Sequence, residues 1–199
     1  MSVDAVVDAI RAGKLALVPT DTVYGLAANP YRERAVEQLY RAKDRDPQQP
    51  TALVASDLEM LFECVPELRG RAGRIARALL PAPYTLVLPN PGRRYRWLTG
   101  STPEAIGVRV PDVKGEAAEL LKRVGALAAS SANARGGPDP CTLDEVPEEI
   151  RAVAAAALDC GALAGTPSTV LDFTGREPRV IREGAAPAEE ALRLVRQVL

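Results

Sequence analysis

The stretch from Leu15 to Arg45 restricts the fold more than any other part of the chain. Leu15-Ala16-Leu17-Val18 runs straight into Pro19-Thr20-Asp21-Thr22-Val23-Tyr24-Gly25-Leu26, and a short amphipathic run then ends in Lys43-Asp44-Arg45. An apolar tetrad stopped by proline and small polar residues predicts a buried strand feeding a polar loop. Beyond that loop Val36, Leu39, Tyr40 and Lys43 recur at i, i+3, i+4 and i+7, so one helix face passes from core into a basic end. Strand, loop and helix in that order are a building unit of a sheet covered by helices. Taken alone, the stretch is equally satisfied by an ordinary strand–turn–helix whose Lys and Arg only complement the helix dipole.

The rest of the chain repeats the alternation. Ser2 caps a first helix with Val3, Val6, Val7 and Ile10 on one face and Gly13 at its end. Asp46-Pro47-Gln48-Gln49-Pro50 opens a polar loop before a β-prone run at residues 51–55. Ser56 and Glu59 have capping-box spacing for a helix that turns Leu61, Phe62 and Val65 inward. A helix over about residues 67–80 presents Arg69, Arg71, Arg74 and Arg77 as a solvated basic face. Strands are predicted at 84–88 and 106–110, separated by a mobile basic-aromatic loop over 90–101. Helix 116–124 leads to a strand at 125–129 and then to turn-forming residues through 140. Thr142 and Glu145 cap a short helix, and residues 152–157 read as helix or strand. Residues 168–173 and 179–182 pair around a turn at Gly175, and a last helix over about 187–199 packs Leu192, Val195 and Leu199. Strands joined both by helices and by tight turns predict an α/β fold. Its core is one twisted mixed parallel/antiparallel sheet with flanking helices, in a single domain over residues 1–199.

Composition removes several chemistries. The chain has no histidine, which excludes histidine-based nucleophilic triads and histidine metal sites. Cys64, Cys141 and Cys160 form no C-x-x-C pair, so neither a zinc site nor a dithiol redox site is expected, and free thiols suit a reducing cytoplasm. A net charge of −1 means that any anion binding comes from local clustering. With 47% hydrophobic residues over 199 positions, the chain buries a core without metal or disulfide staples. Its first residues lack a secretory pattern, and no apolar run approaches the roughly 18 residues of a membrane span. A cytoplasmic protein without membrane contact is the expectation.

Four polar segments cluster at element ends: residues 20–22, 43–45, 130–133 and 168–169, with Arg109 and Arg182 on neighbouring strands. Ligands gather where such ends converge, and Lys, Arg, Ser and Asn donate to phosphate or carboxylate oxygens. The set contains few general bases. Arg109 in Gly107-Val108-Arg109-Val110 alternates with apolar residues and needs an anionic partner, because an unpaired interior charge is costly. A structural carboxylate or a ligand carboxylate satisfies it equally. Asp21 and Asp172 read as turn or solvent residues. No G-x-x-x-x-G-K-[ST] or G-x-G-x-x-G is present, and Gly136-Gly137 alone is weak support for a phosphate loop. The residue pattern thus supports an anion-binding α/β domain and names no substrate.

Seven motifs in register carry a resemblance. Pro19-Thr20-Asp21-Thr22-Val23-Tyr24-Gly25-Leu26, Lys43-Asp44-Arg45, Pro81-Ala82-Pro83-Tyr84-Thr85, Val108-Arg109-Val110-Pro111, Ser131-Ala132-Asn133 with Gly136 and Pro138, Ser168-Thr169-Val170-Leu171-Asp172, and Val180-Ile181-Arg182 follow one another as in the YrdC-like family. These are the threonylcarbamoyl-AMP synthases that begin threonylcarbamoyl-adenosine formation in tRNA. The likeness runs from about Leu15 to Gly184, and the chain resembles the short, single-domain form. It departs from the family pattern in having Asp21 for a usual Glu, Ala82 for Gly, Asp46 before Pro47, Pro167 before Ser168, Asp139 for a small hydroxyl residue and Glu183 for Pro.

The resemblance implies a concave basic cleft in which L-threonine, bicarbonate and ATP give threonylcarbamoyl-AMP and pyrophosphate. By motif position Lys43, Arg45, Gln49, Ser131, Asn133, Asp139 and Arg182 would bind ATP, with Lys43 and Arg45 also catalytic. Thr22, Arg109, Ala129 and Ser168 would hold threonine. Mg2+ would accompany ATP without a protein metal site. The tRNA threonylcarbamoyl transferase machinery would take the product, with weak tRNA contact. Two other readings compete. One is a YrdC-like RNA- or nucleotide-binding module without turnover, in which Arg93, Arg94 and Arg96 interleaved with Tyr95 and Trp97 contact single-stranded RNA. The other is a carbamoyl-phosphate-dependent carbamoyltransferase, against which the lack of acylphosphatase and zinc-finger segments in this chain argues.

Overall fold

Ser2 opens the first element as its spacing predicts, its hydroxyl accepting the Ala5 amide at the start of α1 (Val3–Arg11). The computed structural model describes all 199 residues. Val3, Val6, Val7 and Ile10 are buried, and Gly13 turns the chain at φ +78°. β1 (Ala16–Val18) then pairs antiparallel with β2 (Gly25–Ala28), so the polar segment between them is a hairpin loop. By sequence that loop extends to Leu26. In the structure it stops at Tyr24, because the four small and apolar residues of β2 are all buried and the first three are paired on both sides. A strand of this kind shows no alternation by which to recognise it.

α2 (Glu33–Ala42) buries Ala35, Val36, Leu39 and Tyr40 and delivers Lys43 at its end. After β3 (Ala52–Ala55) comes α3 (Leu58–Cys64), whose cap is Asp57 rather than Ser56. The Asp57 carboxylate accepts the Met60 amide at 2.8 Å and the Ser56 hydroxyl at 2.8 Å. A carboxylate is well suited to the positive helix N-terminus, so Asp57 takes the position. On α4 (Gly70–Leu79) and its cap, Arg69, Arg74 and Arg77 are exposed as expected and Arg71 is half-buried. Arg71 donates to the Phe173 carbonyl at 3.1 Å, Arg74 to the Val198 carbonyl at 3.0 Å, and Arg77 lies 4.4 Å over the Phe62 ring.

β4 (Tyr84–Pro89), α5 (Arg96–Thr99) and β5 (Ala105–Arg109) follow. The connection expected to be a mobile loop is pinned from inside. Asn90 is fully buried and donates to the Arg94 and Pro103 carbonyls, while the Trp97 indole donates to the Pro30 carbonyl at 2.8 Å. Arg93 pairs with Glu104 and Arg94 with Glu67, and Tyr95 meets Trp97 edge to face. Arg93, Arg94 and Arg96 stay exposed, while Tyr95 and Trp97 are half-buried against the chain.

α6 (Gly115–Val124) precedes β6 (Ala126–Ser131). Thr142 caps nothing: α7 (Glu148–Val153) begins after Pro147, and Glu145 instead accepts the Cys141 amide at 2.8 Å. The ambiguous 152–157 run divides, the helix ending at Val153 and β7 (Ala156–Ala157) starting shortly after it. β8 (Thr169–Asp172) and β9 (Arg179–Arg182) pair antiparallel as predicted, and α8 (Ala188–Val198) closes the chain. α8 buries Ala188, Ala191 and Val195, while Leu199 is exposed instead of packed. No helix is long and apolar enough to cross a membrane.

The nine strands form one mixed sheet in the order β7-β1-β2-β6-β3-β5-β4-β8-β9, with β1/β7, β3/β5 and β4/β8 parallel. Successive residues point to opposite faces. Leu17, Leu26 and Leu53 join the larger core beneath α2, α3, α4, α5, α7 and α8, whereas Val18, Ala27 and Val54 join the smaller core beneath α1 and α6. On β4, Tyr84, Leu86 and Leu88 are buried while Thr85, Val87 and Pro89 are half-buried. The second face is thus covered near β1, β2 and β6 but left open over β5, β4, β8 and β9. A polar cavity lies on that open half.

Gly100 holds α5 against the polar loop at residues 46–50. Its φ is +57°, and a Cβ there would collide with the Gln48 carbonyl. Gly100→Ala is expected to cost at least about 1–2 kcal/mol from the left-handed backbone alone. Urea unfolding should show this as a lower midpoint at unchanged slope.

Candidate active site

Arg109 ends β5 on the open face, buried apart from the edge it presents to a cavity. Its partner is Asp21 from the β1–β2 loop, whose second carboxylate oxygen accepts the Asp112 amide at 3.1 Å. Asp21 is therefore the structural carboxylate that a charged strand residue requires, not a turn or solvent residue. Arg109 also donates to the Thr22 hydroxyl at 2.8 Å. Thr22 in turn donates to Thr20 at 2.9 Å, and Thr20 to the Val23 carbonyl at 2.8 Å. Burial pulls the Arg109 pKa down and the Asp21 charge pulls it back up, with a net lowering. Its Nε is buried and has no protein partner. Asp172 is likewise buried. Burial raises its carboxyl pKa, but hydrogen bonds from Thr174 and the Arg179 guanidinium outweigh this and hold it below the usual range. Its work is to brace the β8–β9 turn.

The register explains what surrounds Arg109. Val54 pairs with Arg109, Thr85 with Val170, and Val170 with Arg182. Thr85 lies one step beyond the Leu86–Val108 pair, next to Arg109. One row across β3, β5, β4, β8 and β9 thus forms the cavity floor. Ser168 exchanges a hydroxyl hydrogen bond with Thr85 at 2.8 Å, and Arg182 donates to the Ser168 carbonyl at 2.8 and 3.1 Å. Ala129 and Ser131 line the wall contributed by β6.

A second chamber opens beside the first and shares Arg45, Ser130 and Ser131 with it. Lys43 sits between the Asn133 carbonyl and the Asn133 side-chain oxygen, the latter at 2.6 Å. That oxygen also accepts the Ser131 hydroxyl at 2.8 Å, while the Asn133 amide donates to the Gly137 carbonyl at 2.7 Å. Arg45 donates to Ser130 at 3.2 Å and to the Pro50 carbonyl, and its Nε is buried without a protein partner. Burial, reinforced by the Arg45 charge and opposed by Asp139, brings Lys43 from 10.5 down to about 8. Burial also lowers Arg45.

Lys43, Arg45, Gln49, Ser131 and Asn133 are thus brought together in one chamber, and Arg109, Ala129, Ser168 and Arg182 line the other. Thr22 is fully buried and meets the first chamber only through Arg109 and Thr20, so Thr20 is the hydroxyl that lines it. Asp139 lines neither chamber and acts on Lys43 through its charge. Sequence reasoning missed Thr85 and Arg135 as lining residues. The alternation of β4 points to Thr85, but nothing local distinguishes Arg135. No group of three or more His, Cys, Asp or Glu side chains is placed to hold a metal ion. Fixed cations with hydroxyls and an amide suit polyphosphate oxygens, and the buried arginine suits a carboxylate.

The chain matches the Sua5/YciO/YrdC family model, described as telomere recombination, over residues 8–184. It is 34% identical over 192 residues to the threonylcarbamoyl-AMP synthase of Pyrococcus abyssi, covering 95% of this chain and 56% of that one. It is 33% identical over 169 residues to the threonylcarbamoyl-AMP synthase of Pseudomonas fluorescens, covering 82% of this chain and 88% of that one. The chain therefore spans little more than half the length of the archaeal relative. The crystal structure of P. abyssi Sua5 complexed with L-threonine superposes with a TM-score of 0.88 at 33% identity, covering 98% of this chain and 58% of that one. Escherichia coli YciO shares the fold, with a TM-score of 0.82 at 24% identity over 94% of this chain and 91% of that one.

Because Lys43 loses its proton as pH rises through about 8, a bound oxyanion loses a charged partner over that range. Sulfate, whose own charge is constant there, should bind progressively more weakly from pH 7 to 9 by isothermal calorimetry. In Lys43→Ala the affinity should be lower and flat across the same window.

Proposed function

The chain belongs to the Sua5/YciO/YrdC family, and from that footing we propose that it is a threonylcarbamoyl-AMP synthase. It would join L-threonine, bicarbonate and ATP into threonylcarbamoyl-AMP and pyrophosphate. The observation that carries this reading is the shared wall: a chamber built for phosphates and a chamber built around a buried arginine meet at Arg45, Ser130 and Ser131. Two substrates held there would meet where the chambers join.

In this reading the threonine carboxylate meets Arg109, whose guanidinium is set by Asp21 and Thr22. Ser168, with Thr85 beside it, and the edge of Ala129 complete the amino-acid chamber, and Thr20 stands in front of Thr22. Lys43, Arg45, Gln49, Ser131 and Asn133 receive the ATP phosphates, with Asp139 tuning Lys43 and Arg182 reaching the nucleotide from the floor. The threonine amine and bicarbonate combine to a carbamate with loss of water. A carbamate oxygen then attacks the α-phosphorus as pyrophosphate leaves. That nucleophile is already anionic, so alignment and charge neutralisation dominate, which suits a site without histidine. Burial makes the neutralisation by Lys43 and Arg45 stronger than in water. Magnesium would accompany ATP and would supply further positive charge to the phosphates when bound. The chain's cationic, hydroxyl-bearing donors do not fit a resident metal ion. The whole chain acts as one domain in the cytoplasm, and its product passes to the machinery that transfers threonylcarbamoyl to tRNA.

Pyrophosphate release should require ATP, threonine and bicarbonate together. ATP binding without release under every combination would instead identify a nucleotide-binding module. Arg109→Lys should raise the KM for threonine by about 10- to 100-fold, since a point charge does not reproduce the guanidinium fork. The KM for ATP should stay near wild type. Equal losses toward both substrates would remove Arg109 from the amino-acid chamber.

A further inference from the structure

Three cations line the phosphate-type chamber, and the third, Arg135, has no part in the chemistry above. Lys43 and Arg45 are held in place, the first by two oxygens of Asn133 and the second by Ser130 and the Pro50 carbonyl. Arg135 is held loosely. Its side chain is 67% exposed, and it reaches the Asp44 carbonyl at 3.5 Å and the Asp44 carboxylate at 3.9 Å. Asp44 itself is 94% exposed and lies between Lys43 and Arg45 in the chain, at φ +44°. Arg135 stands on a tight turn closed by the Gly137 amide on the Ala134 carbonyl, and Gly136 beside it has φ +74° with open space around it.

From this we infer that Arg135 is a swinging clamp on the polyphosphate, leaving Asp44 and closing over the anion once Lys43 and Arg45 have seated it. The inference rests on the chamber being the ATP site. A solvent-exposed ion pair at that separation contributes little, whereas a guanidinium on phosphate oxygens makes short, charge-assisted and bidentate bonds. The exchange therefore favours the anion. It also divides the labour: the buried cations define where the phosphates lie, and the exposed one holds them there. Arg135 is thus a binding residue specific to the nucleotide, and threonine has no stake in it.

Calorimetry with ATP, inorganic triphosphate and threonine tests the assignment on the full chain. Arg135→Ala should weaken ATP and triphosphate about tenfold, the low end for a hydrogen bond to a charged group. Threonine affinity and the thermal midpoint should not move, and Arg135→Lys should recover only part of the loss. Asp44→Ala should bind ATP as well as wild type or better, since it releases the clamp. Arg135→Ala within twofold of wild type, alongside a large loss in Lys43→Ala, overturns the clamp and leaves the ATP chamber standing. An equal loss in Asp44→Ala also overturns it, by showing that the resting contact is what matters. If Lys43→Ala leaves ATP binding unchanged, the chamber is not the ATP site and the proposed function falls together with the clamp.

Discussion

A guanidinium buried in a sheet must be answered by a carboxylate, and much of this molecule's layout follows from meeting that demand at Arg109. The answering group, Asp21, comes from the loop of the first hairpin, so β1 and β2 are drawn over the strand end that carries the arginine. The same loop supplies Thr22 and Thr20, whose hydroxyls continue the polar chain from the guanidinium to the cavity. Removing either charge would strand the other in a poorly solvated place, which costs several kcal/mol in comparable buried pairs. The pair is retained at an edge where part of the arginine still faces the cavity. A charge held that way is available to a ligand without first being stripped of water.

The sheet provides the platform. Its nine strands present one face to six helices and the other to only two, and the uncovered half becomes a floor. Period-two alternation then decides which residues stand on it. Thr85, Val170 and Arg182 face the cavity because Leu86 and Leu171 face the core. The loops that rim the floor come from distant parts of the chain: residues 19–24, 43–50 and 130–140. Buried polar groups such as Asn90 and Thr99, with the close approach of Gly100 to Gln48, keep the middle of those rims in place.

Much of this was legible in the sequence where local pattern determines the outcome. Apolar runs interrupted by proline and hydroxyl residues located most strands, and 3.6-residue periodicity located the longer helices. The need of Arg109 for an anionic partner could also be argued from alternation alone. Its identity could not, because Asp21 lies 88 residues away and looks like any turn aspartate. β2 was overlooked because a strand buried on both faces has no period. Ser56 and Thr142 were plausible caps by spacing, yet Asp57 and Pro147 begin the helices, since capping depends on backbone angles that spacing does not encode. Arg71 alone among the arginines of α4 is half-buried, and its acceptor, the Phe173 carbonyl, belongs to an element far along the chain. For Arg109 and Arg71 the missing information was a tertiary partner.

The wall common to the two chambers has a thermodynamic corollary. Ser130 and Ser131 are consecutive residues of one strand, and Arg45 bonds to the first of them. Whatever displacement an occupant of one chamber imposes on that partition is inherited by the occupant of the other. By linkage, the resulting change in affinity is identical in either direction. Two guests that touch the same residues would thus be each other's effector, and the order in which they arrive would alter the route but not the final free energy.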